Sequence, residues 1–244
     1  MSDKLDRYEA SSEDVLGWEN MERIARDSFR PEVSPAVIKR LPRYFRYLRE
    51  IIRMGKTRVS SAELSRMMNV TASQIRQDLN CFGGFGQQGY GYNVNYLYTK
   101  ICEILGVGCG FQAAVIGAGN LGSALVGSPM FEKRGVDVVA LFDVAEAVVG
   151  KTVGGVKVYH MDMLEEKLAE LSVNIVILTL PKEYATEVAE RLGRTGIRGV
   201  WNFTGKEISF ESDRVVVENV HIGDSLMTLC YEVAKNMYKK DRED

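Results

Sequence analysis

Gly117, Gly119 and Gly122 stand in the order G-x-G-x-x-G within "AVIGAGNLGSAL". An apolar run precedes them and a helix-forming segment follows. In such a turn the first glycine permits a sharp bend. The second lets backbone N–H groups approach a pyrophosphate, and the third lets the helix lie close to the strand. Gly117, Ala118, Gly119, Asn120, Leu121 and Gly122 are therefore expected to cradle a dinucleotide. The next apolar run ends in "LFD", which puts Asp143 21 residues beyond Gly122. A carboxylate there accepts hydrogen bonds from ribose hydroxyls and repels a 2′-phosphate, so the spacing predicts NAD(H) rather than NADP(H).

A dehydrogenase built on that cradle also needs a proton donor or acceptor beside the hydride-transfer site. The chain has two histidines. His160 follows a short strand pattern and reads as a loop or core residue. His221 follows another strand near the final helix, and no arrangement around it offers an acid/base role. No catalytic residue is expected. The four cysteines, Cys81, Cys102, Cys109 and Cys230, form no CxxC pair, so reduced thiols are expected and a metal site is not.

A second set of polar residues lies upstream. In "SSAELSRMM" Ser60 and Glu63 have capping-box spacing, and in "TASQIRQDLNCF" Thr71 and Gln74 repeat it. The result is two short helices across a tight turn, with Leu64, Met67, Ile75 and Leu79 available as core: a helix-turn-helix. Ser73, Gln74, Arg76, Gln77 and Asn80 give the second helix a polar surface suited to base edges. The segment "GGFGQQGYGY" has five glycines within residues 83–91 and suits a β-hairpin, a wing carrying Gln87 and Gln88. Residues 31–105 carry 11 basic and 5 acidic side chains, net +6, in a chain of net charge −2. Such a compact basic segment predicts a polyanion partner, here double-stranded DNA. Arg43 and Arg46 of "PRYFRYLREIIRM", with Lys56 and Arg58, are expected to contact phosphate and fix register.

These residues need two domains to position them, and 244 residues suffice. Residues 1–32 read as a polar N-terminal arm without a secretory signal, which places the protein in the cytoplasm. Residues 33–107 read as a winged-helix DNA-binding domain, closing with a helix over about 94–105 and a linker at Gly106–Gly108. Residues 108–222 alternate strand and helix patterns, with strands expected at 113–116, 136–142, 156–159, 175–180, 199–203 and 215–218, most of them unbroken apolar runs. Unbroken apolar strands belong to a parallel sheet covered on both faces, so the fold class is α/β with a doubly wound Rossmann domain. Residues 223–244 form a last helix and tail. Leu226, Met227, Leu229, Tyr231 and Val233 make that helix apolar on nearly every side, more than one sheet face buries, and a partner subunit is one way to enclose it. No apolar run is long enough to span a bilayer.

The stretches "AVIKRLPRYFRYL", "VSSAELSRMMNVTASQIRQDL", "FGGFGQQGYGYNV", "VIGAGNLGSAL", "FDV", "VGGVKVY", "TLP" and "GIRGVWNFT" resemble, in this order, the Rex family of redox-sensing transcriptional repressors. The resemblance covers about residues 33–238. It implies a homodimer of winged-helix and Rossmann domains whose last helix is swapped between subunits. It also implies a repressor that binds operator DNA when NADH is low and releases it when NADH binds. By the same resemblance Gly117–Gly122 hold the pyrophosphate and Asp143 the adenosine ribose. Thr179, Pro181, Asn202 and Thr204 lie around the nicotinamide, and Arg40 helps couple the domains. The chain departs from the family pattern at Ser128, commonly tyrosine, and at His221, commonly aspartate, the two usual partners of that arginine. Gln87 and Gln88 stand where a basic wing residue is frequent, and Gly205 where proline is. Two other readings remain at this point: an NAD-dependent oxidoreductase with an appended DNA-binding domain, and a DNA-binding protein only stabilised by NAD(H).

Overall fold

The computed structural model describes residues 34–81, 86–87 and 90–240, with backbone alone at 86–87 and 239–240. The arm expected over 1–32, and Gln88, lie outside the described residues. The chain divides into two compact units between Gly110 and Phe111.

The first unit opens with α1 (Pro35–Ile38), capped by Ser34, and α2 (Leu41–Arg53). Pro42 occupies the first turn of α2, where its missing N–H leaves nothing unpaired. Gly55, at φ +72°, provides the left-handed residue that ends the segment. One stripe of α2, including Leu41, Tyr44, Leu48 and Ile51, is buried. After β1 (Arg58–Val59) come α3 (Ser61–Met68) and α4 (Ala72–Asn80), joined through Asn69 at φ +51°. The Ser60/Glu63 capping box is complete. Its expected repeat is half-made: Thr71 accepts the Gln74 N–H at 3.1 Å, but the Gln74 carboxamide turns to Asp78 instead. A carboxylate is the stronger acceptor, so it draws the amide away from the helix start.

The glycine-rich segment does form a hairpin. β2 (Gly86–Gln87) pairs antiparallel with β3 (Gly91–Asn93), which also pairs with β1 in a three-stranded sheet of order β1-β3-β2. The helix α5 (Val94–Ile104) follows and packs on α2, where Phe45 and Tyr98 stack at 5.3 Å. The unit is a winged helix-turn-helix.

In the second unit β4 (Phe111–Ile116), β5 (Val136–Asp143), β7 (Val156–His160), β8 (Ile175–Leu178), β9 (Gly199–Asn202) and β10 (Val216–Asn219) are parallel. With β6 (Thr152–Val153), an antiparallel edge strand, the sheet order is β10-β9-β8-β4-β5-β7-β6. Order reverses between β4 and β8, the switch point where ligands bind in open α/β sheets. Residues alternate between faces: Ala114, Ile116, Val176 and Leu178 pack under α7 (Leu164–Glu170) and α8 (Ala185–Leu192). Ala113, Val115 and Ile177 face the opposite core, which α6 (Asn120–Val126) and Phe131 help to cover. The fold is the doubly wound Rossmann arrangement.

The last helix, α9 (Ile222–Lys240), leaves its apolar residues in the open. Eight large hydrophobic side chains on it are 49% (Val233) to 71% (Tyr238) exposed.

Candidate functional site

The glycine turn sits at the C-terminal end of β4, where an added Cβ would clash at Gly117 and Gly122 but not at Gly119. Gly117 adopts φ +103°, and a Cβ there would lie 2.8 Å from the Thr179 carbonyl oxygen. A Cβ on Gly122 would lie 1.9 Å from the Gly117 carbonyl oxygen and 2.7 Å from Thr179 Oγ1. Around Gly119 the added atom would meet nothing within 4 Å, so it would project into open space beside the N-terminus of α6. No side chain caps that N-terminus. Its first N–H groups have no partner within the helix, which suits a phosphate. The residues present fit a pyrophosphate.

Asp143, at the end of β5, braces the same turn. Its Oδ2 accepts the Ala118 N–H at 2.6 Å and its Oδ1 the Ala145 N–H at 2.8 Å. A carboxylate has about four lone-pair sites, so two remain for ribose hydroxyls. The sequence suggested only the ribose role; the bracing of Ala118 is additional.

The other expected cofactor residues follow β8 and β9 along the same edge of the parallel sheet. Thr179 shares its hydroxyl between the carbonyls of Ile116 at 3.0 Å and Gly117 at 2.9 Å, tying the end of β8 to the glycine turn. Pro181 is exposed two residues further on. Asn202 is buried and its carboxamide is fully used. The nitrogen donates to Lys206 O at 2.6 Å and Asn219 Oδ1 at 2.7 Å, while the oxygen accepts from Thr204 N–H and Oγ1 at 3.0 and 2.8 Å. Asn219, overlooked in the sequence, also accepts the Ile208 N–H at 3.3 Å and so holds the loop after β9. The sequence carried no signal of this, since Asn219 simply follows Glu218 at the end of a short valine run.

In the winged unit the expected DNA contacts separate into two groups. Ser73, Arg76, Gln77 and Asn80 are exposed on α4, as is Arg46 on α2, where it lies 5.3 Å from the Tyr47 ring centre. Arg76 reaches Ser61 Oγ at 3.3 Å. The other group has partners within the unit: Arg43 donates to the Met68 carbonyl, Lys56 pairs with Glu63 at 3.3 Å, and Arg58 donates to Tyr90 O at 3.2 Å. Gln87 lies on β2.

Arg40 is engaged inside this unit. Its Nε and Nη2 meet Asp78 Oδ2 and Oδ1 at 2.8 and 2.6 Å, and Tyr44 OH and Gln74 Nε2 donate to the same carboxylate. Burial pushes the Asp78 carboxyl up, but the hydrogen bonds from Arg40, Gln74 and Tyr44 outweigh it and hold it below its ordinary value. Asp78 therefore stabilises the fold above about pH 4, the unfolded value, and that contribution is lost as pH falls through the lower folded value. The melting-temperature difference between the natural chain and Asp78→Asn should be largest near neutral pH and shrink toward pH 3. A difference independent of pH would show that the charged carboxylate is not the stabilising species.

Ser128 follows α6, where its Oγ accepts the Met130 N–H at 3.4 Å. His221 immediately precedes α9, with Nε2 4.0 Å from Glu207 Oε1. Of the cysteines, Cys102 is the most perturbed: burial pushes its thiol up to about 11, so it stays protonated at neutral pH. Among the described residues no cluster of histidine, cysteine and carboxylate side chains is grouped to hold a metal, and no helix is long and apolar enough to cross a membrane.

Residues 32–80 match the family model described as putative DNA-binding protein N-terminus, and residues 111–205 match the CoA binding domain. The redox-sensing transcriptional repressor Rex of Caldicellulosiruptor bescii is 47% identical over 210 residues, covering 86% of this chain and 96% of that protein. Its counterpart in Thermoanaerobacter pseudethanolicus is 46% identical over 214 residues, covering 87% and 95%. A crystal structure of RSP in complex with beta-NAD+ and operator DNA superposes with TM-score 0.79 at 46% identity, covering 87% of this chain and 98% of that one. RSP in complex with beta-NADH gives 0.78 at 43% identity, covering 86% and 98%.

Proposed function

The chain belongs to the Rex family of redox-sensing transcriptional repressors, and we propose that it binds operator DNA when NADH/NAD+ is low and releases it when NADH binds. The role is regulatory rather than enzymatic. It acts in the cytoplasm as a homodimer whose α9 helices are exchanged between subunits.

One observation carries the reading. Parallel topology brings the glycine turn, Asp143, Thr179 and Asn202 to a single edge of the sheet, while a separate unit carries a basic helix-turn-helix. Gly117, Ala118, Gly119, Asn120, Leu121 and Gly122 hold the pyrophosphate, and Asp143 accepts from the adenosine ribose. Thr179, Pro181, Asn202 and Thr204 shape the nicotinamide end. Ser73, Gln74, Arg76 and Gln77 face bases, whereas Arg43, Arg46, Lys56, Arg58, Gln87 and Gln88 follow the backbone. Oxidised nicotinamide is cationic and the reduced ring is neutral, so charge and desolvation distinguish them. Arg40, Ser128 and His221 couple the cofactor site to the DNA-binding unit, with serine and histidine in place of the family's usual tyrosine and aspartate.

For NADH to act as a signal it must bind the DNA-incompetent arrangement more tightly. A coupling of about 1–3 kcal/mol changes operator affinity roughly 5- to 150-fold. The spacing of the two recognition helices is what changes, because half-sites lie about one helical turn apart or a multiple of it. Operator binding titrated separately with NAD+, NADH and NADPH tests this. Release by NADH alone is expected, and equal affinity with and without saturating NADH would leave a constitutive DNA-binding protein. Asp143→Ala should weaken NADH binding and narrow its preference over NADPH. An unchanged preference would remove Asp143 from the ribose.

A further inference from the structure

Asp78 is the one charged side chain among the described residues that is both fully buried and located on α4, the helix proposed to enter the major groove. Four donors converge on it and divide evenly. Oδ1 accepts from Arg40 Nη2 at 2.6 Å and Gln74 Nε2 at 2.9 Å, and Oδ2 accepts from Arg40 Nε at 2.8 Å and Tyr44 OH at 3.0 Å. Arg40 and Tyr44 belong to the start of α2, so the carboxylate fixes α4 against a different helix.

The apolar neighbours of Asp78 on α4, Ile75 and Leu79, hold the helix in the core through burial, which has no directional preference of its own. A buried carboxylate adds direction. Rolling α4 by a fraction of a turn would separate Asp78 from a bidentate guanidinium and leave a charge unpaired in the interior, which is strongly unfavourable. The ion pair thus sets the angle at which the exposed side of α4 faces outward.

Gln74 carries the same constraint to the surface. It lies one turn before Asp78 on the same side of α4 and is half-buried. Carboxylate oxygens only accept, so the amide nitrogen must face Asp78 and the carbonyl oxygen must face away. One N–H is consumed, leaving one N–H and the oxygen. Adenine presents N6–H and N7 in the major groove, a donor beside an acceptor, which matches that remaining pair. Guanine presents two acceptors, cytosine a donor alone, and thymine an acceptor with a methyl group. A free glutamine can flip its amide and must lose rotamer freedom on binding, whereas this one is set beforehand.

We propose that Asp78 is a positioning residue for sequence readout, locking the roll of α4 and the Gln74 carboxamide so that Gln74 reads one adenine in each half-site. The proposal rests on the DNA-binding reading above and goes on to name the base and the residue that orients its reader.

The test uses the full chain and duplexes it selects from a random library, each base pair of the preferred site then being replaced in turn. Replacing the adenine read by Gln74 should weaken binding roughly 5- to 150-fold, the range of a good bidentate contact. Gln74→Met should erase discrimination at that position and leave the other positions unchanged. Asp78→Asn should relax the same position while affinity for random duplexes holds, and in the Gln74→Met background it should cost no further discrimination. The proposal is overturned if Gln74→Met leaves every position as selective as before, or if Asp78→Asn weakens all positions and random DNA alike. Should Asp78→Asn fail to fold, the natural chain still decides. The Gln74 amide protons, identified by their loss in Gln74→Met, should exchange with solvent more slowly than those of a surface glutamine, and equal exchange also overturns it. A natural chain that selects no sequence at all sinks the repressor reading itself, an outcome distinct from each of these.

Discussion

Gly122→Ala is expected to reduce NADH binding at least 100-fold, and Gly119→Ala to reduce it without the loss of stability that accompanies the first. The two glycines differ in what their missing Cβ would strike. At Gly122 the atom would sit 1.9 Å from the Gly117 carbonyl oxygen, inside any permissible contact, so α6 must move away from the turn. The turn itself cannot yield easily. Gly117 N–H donates to Phe142 O at 2.8 Å across the middle of the sheet, and the Thr179 hydroxyl holds the Gly117 carbonyl from the other side. Overpacking of this kind typically costs about 1–3 kcal/mol. In a chain of this size each kcal/mol lowers the melting temperature by roughly 2–4 °C. It also displaces the N–H groups proposed to meet the pyrophosphate, and an error of about 1 Å in a preorganised site is costly.

At Gly119 the added methyl meets no atom within 4 Å, so the fold should melt normally while the methyl fills the space proposed for the cofactor. Binding is read from the quenching or enhancement of NADH fluorescence, and stability from thermal melts of the unliganded chain. Normal NADH affinity in Gly119→Ala would move the pyrophosphate elsewhere. A Gly122→Ala chain that binds NADH normally would show that α6 has room the geometry denies it.

Much of this architecture was legible because it depends on local rules. The six expected strands, most of them apolar runs, became the six parallel strands, since a sheet covered on both faces needs no polar alternation. Ser60 and Thr71 marked helix starts through their side-chain caps. The strands β1 and β6, two residues each, carry no periodicity and exist only through the partners they pair with. Asp78 was hidden for a different reason. In the sequence it is one more polar residue on a polar helix, and only the approach of Arg40 and Tyr44, more than thirty positions away, turns it into the centre of a network. Asn202 and Thr204 were named only through the family resemblance; neither their hydrogen bond to each other nor the dependence on Asn219, which a parallel neighbouring strand supplies, could be read from it.

Removing α9 is expected to convert the proposed dimer to a monomer and to lower operator affinity by two to four orders of magnitude. Packing against the described residues of its own chain does not account for the helix's length. Leu226, Leu229, Val233 and Met237 recur at three- and four-residue intervals along one side, and Met227, Tyr231 and Tyr238 form a second stripe, all at least half-exposed or close to it. Fully burying a large apolar side chain stabilises by about 1.5–3 kcal/mol. Eight of them on each protomer therefore represent on the order of 10 kcal/mol, enough to offset an association cost of about 4–15 kcal/mol when both copies contribute. The Rossmann face bearing half-buried Trp201 and Phe203 offers apolar surface to receive such a helix. With one DNA-binding unit per protomer, losing the dimer removes the second half-site contact, and linked binding sites commonly gain 10²–10⁴ over single ones. A chain ending at His221 tests this by sedimentation and by binding to a two-half-site operator. Leu229→Glu, which keeps the helix but charges its first stripe, should shift the monomer–dimer equilibrium in the same direction. Its affinity for an isolated half-site should be unchanged, because the winged unit is untouched. A truncated chain that remains dimeric would place the interface on another surface and leave the exposure of α9 without this explanation.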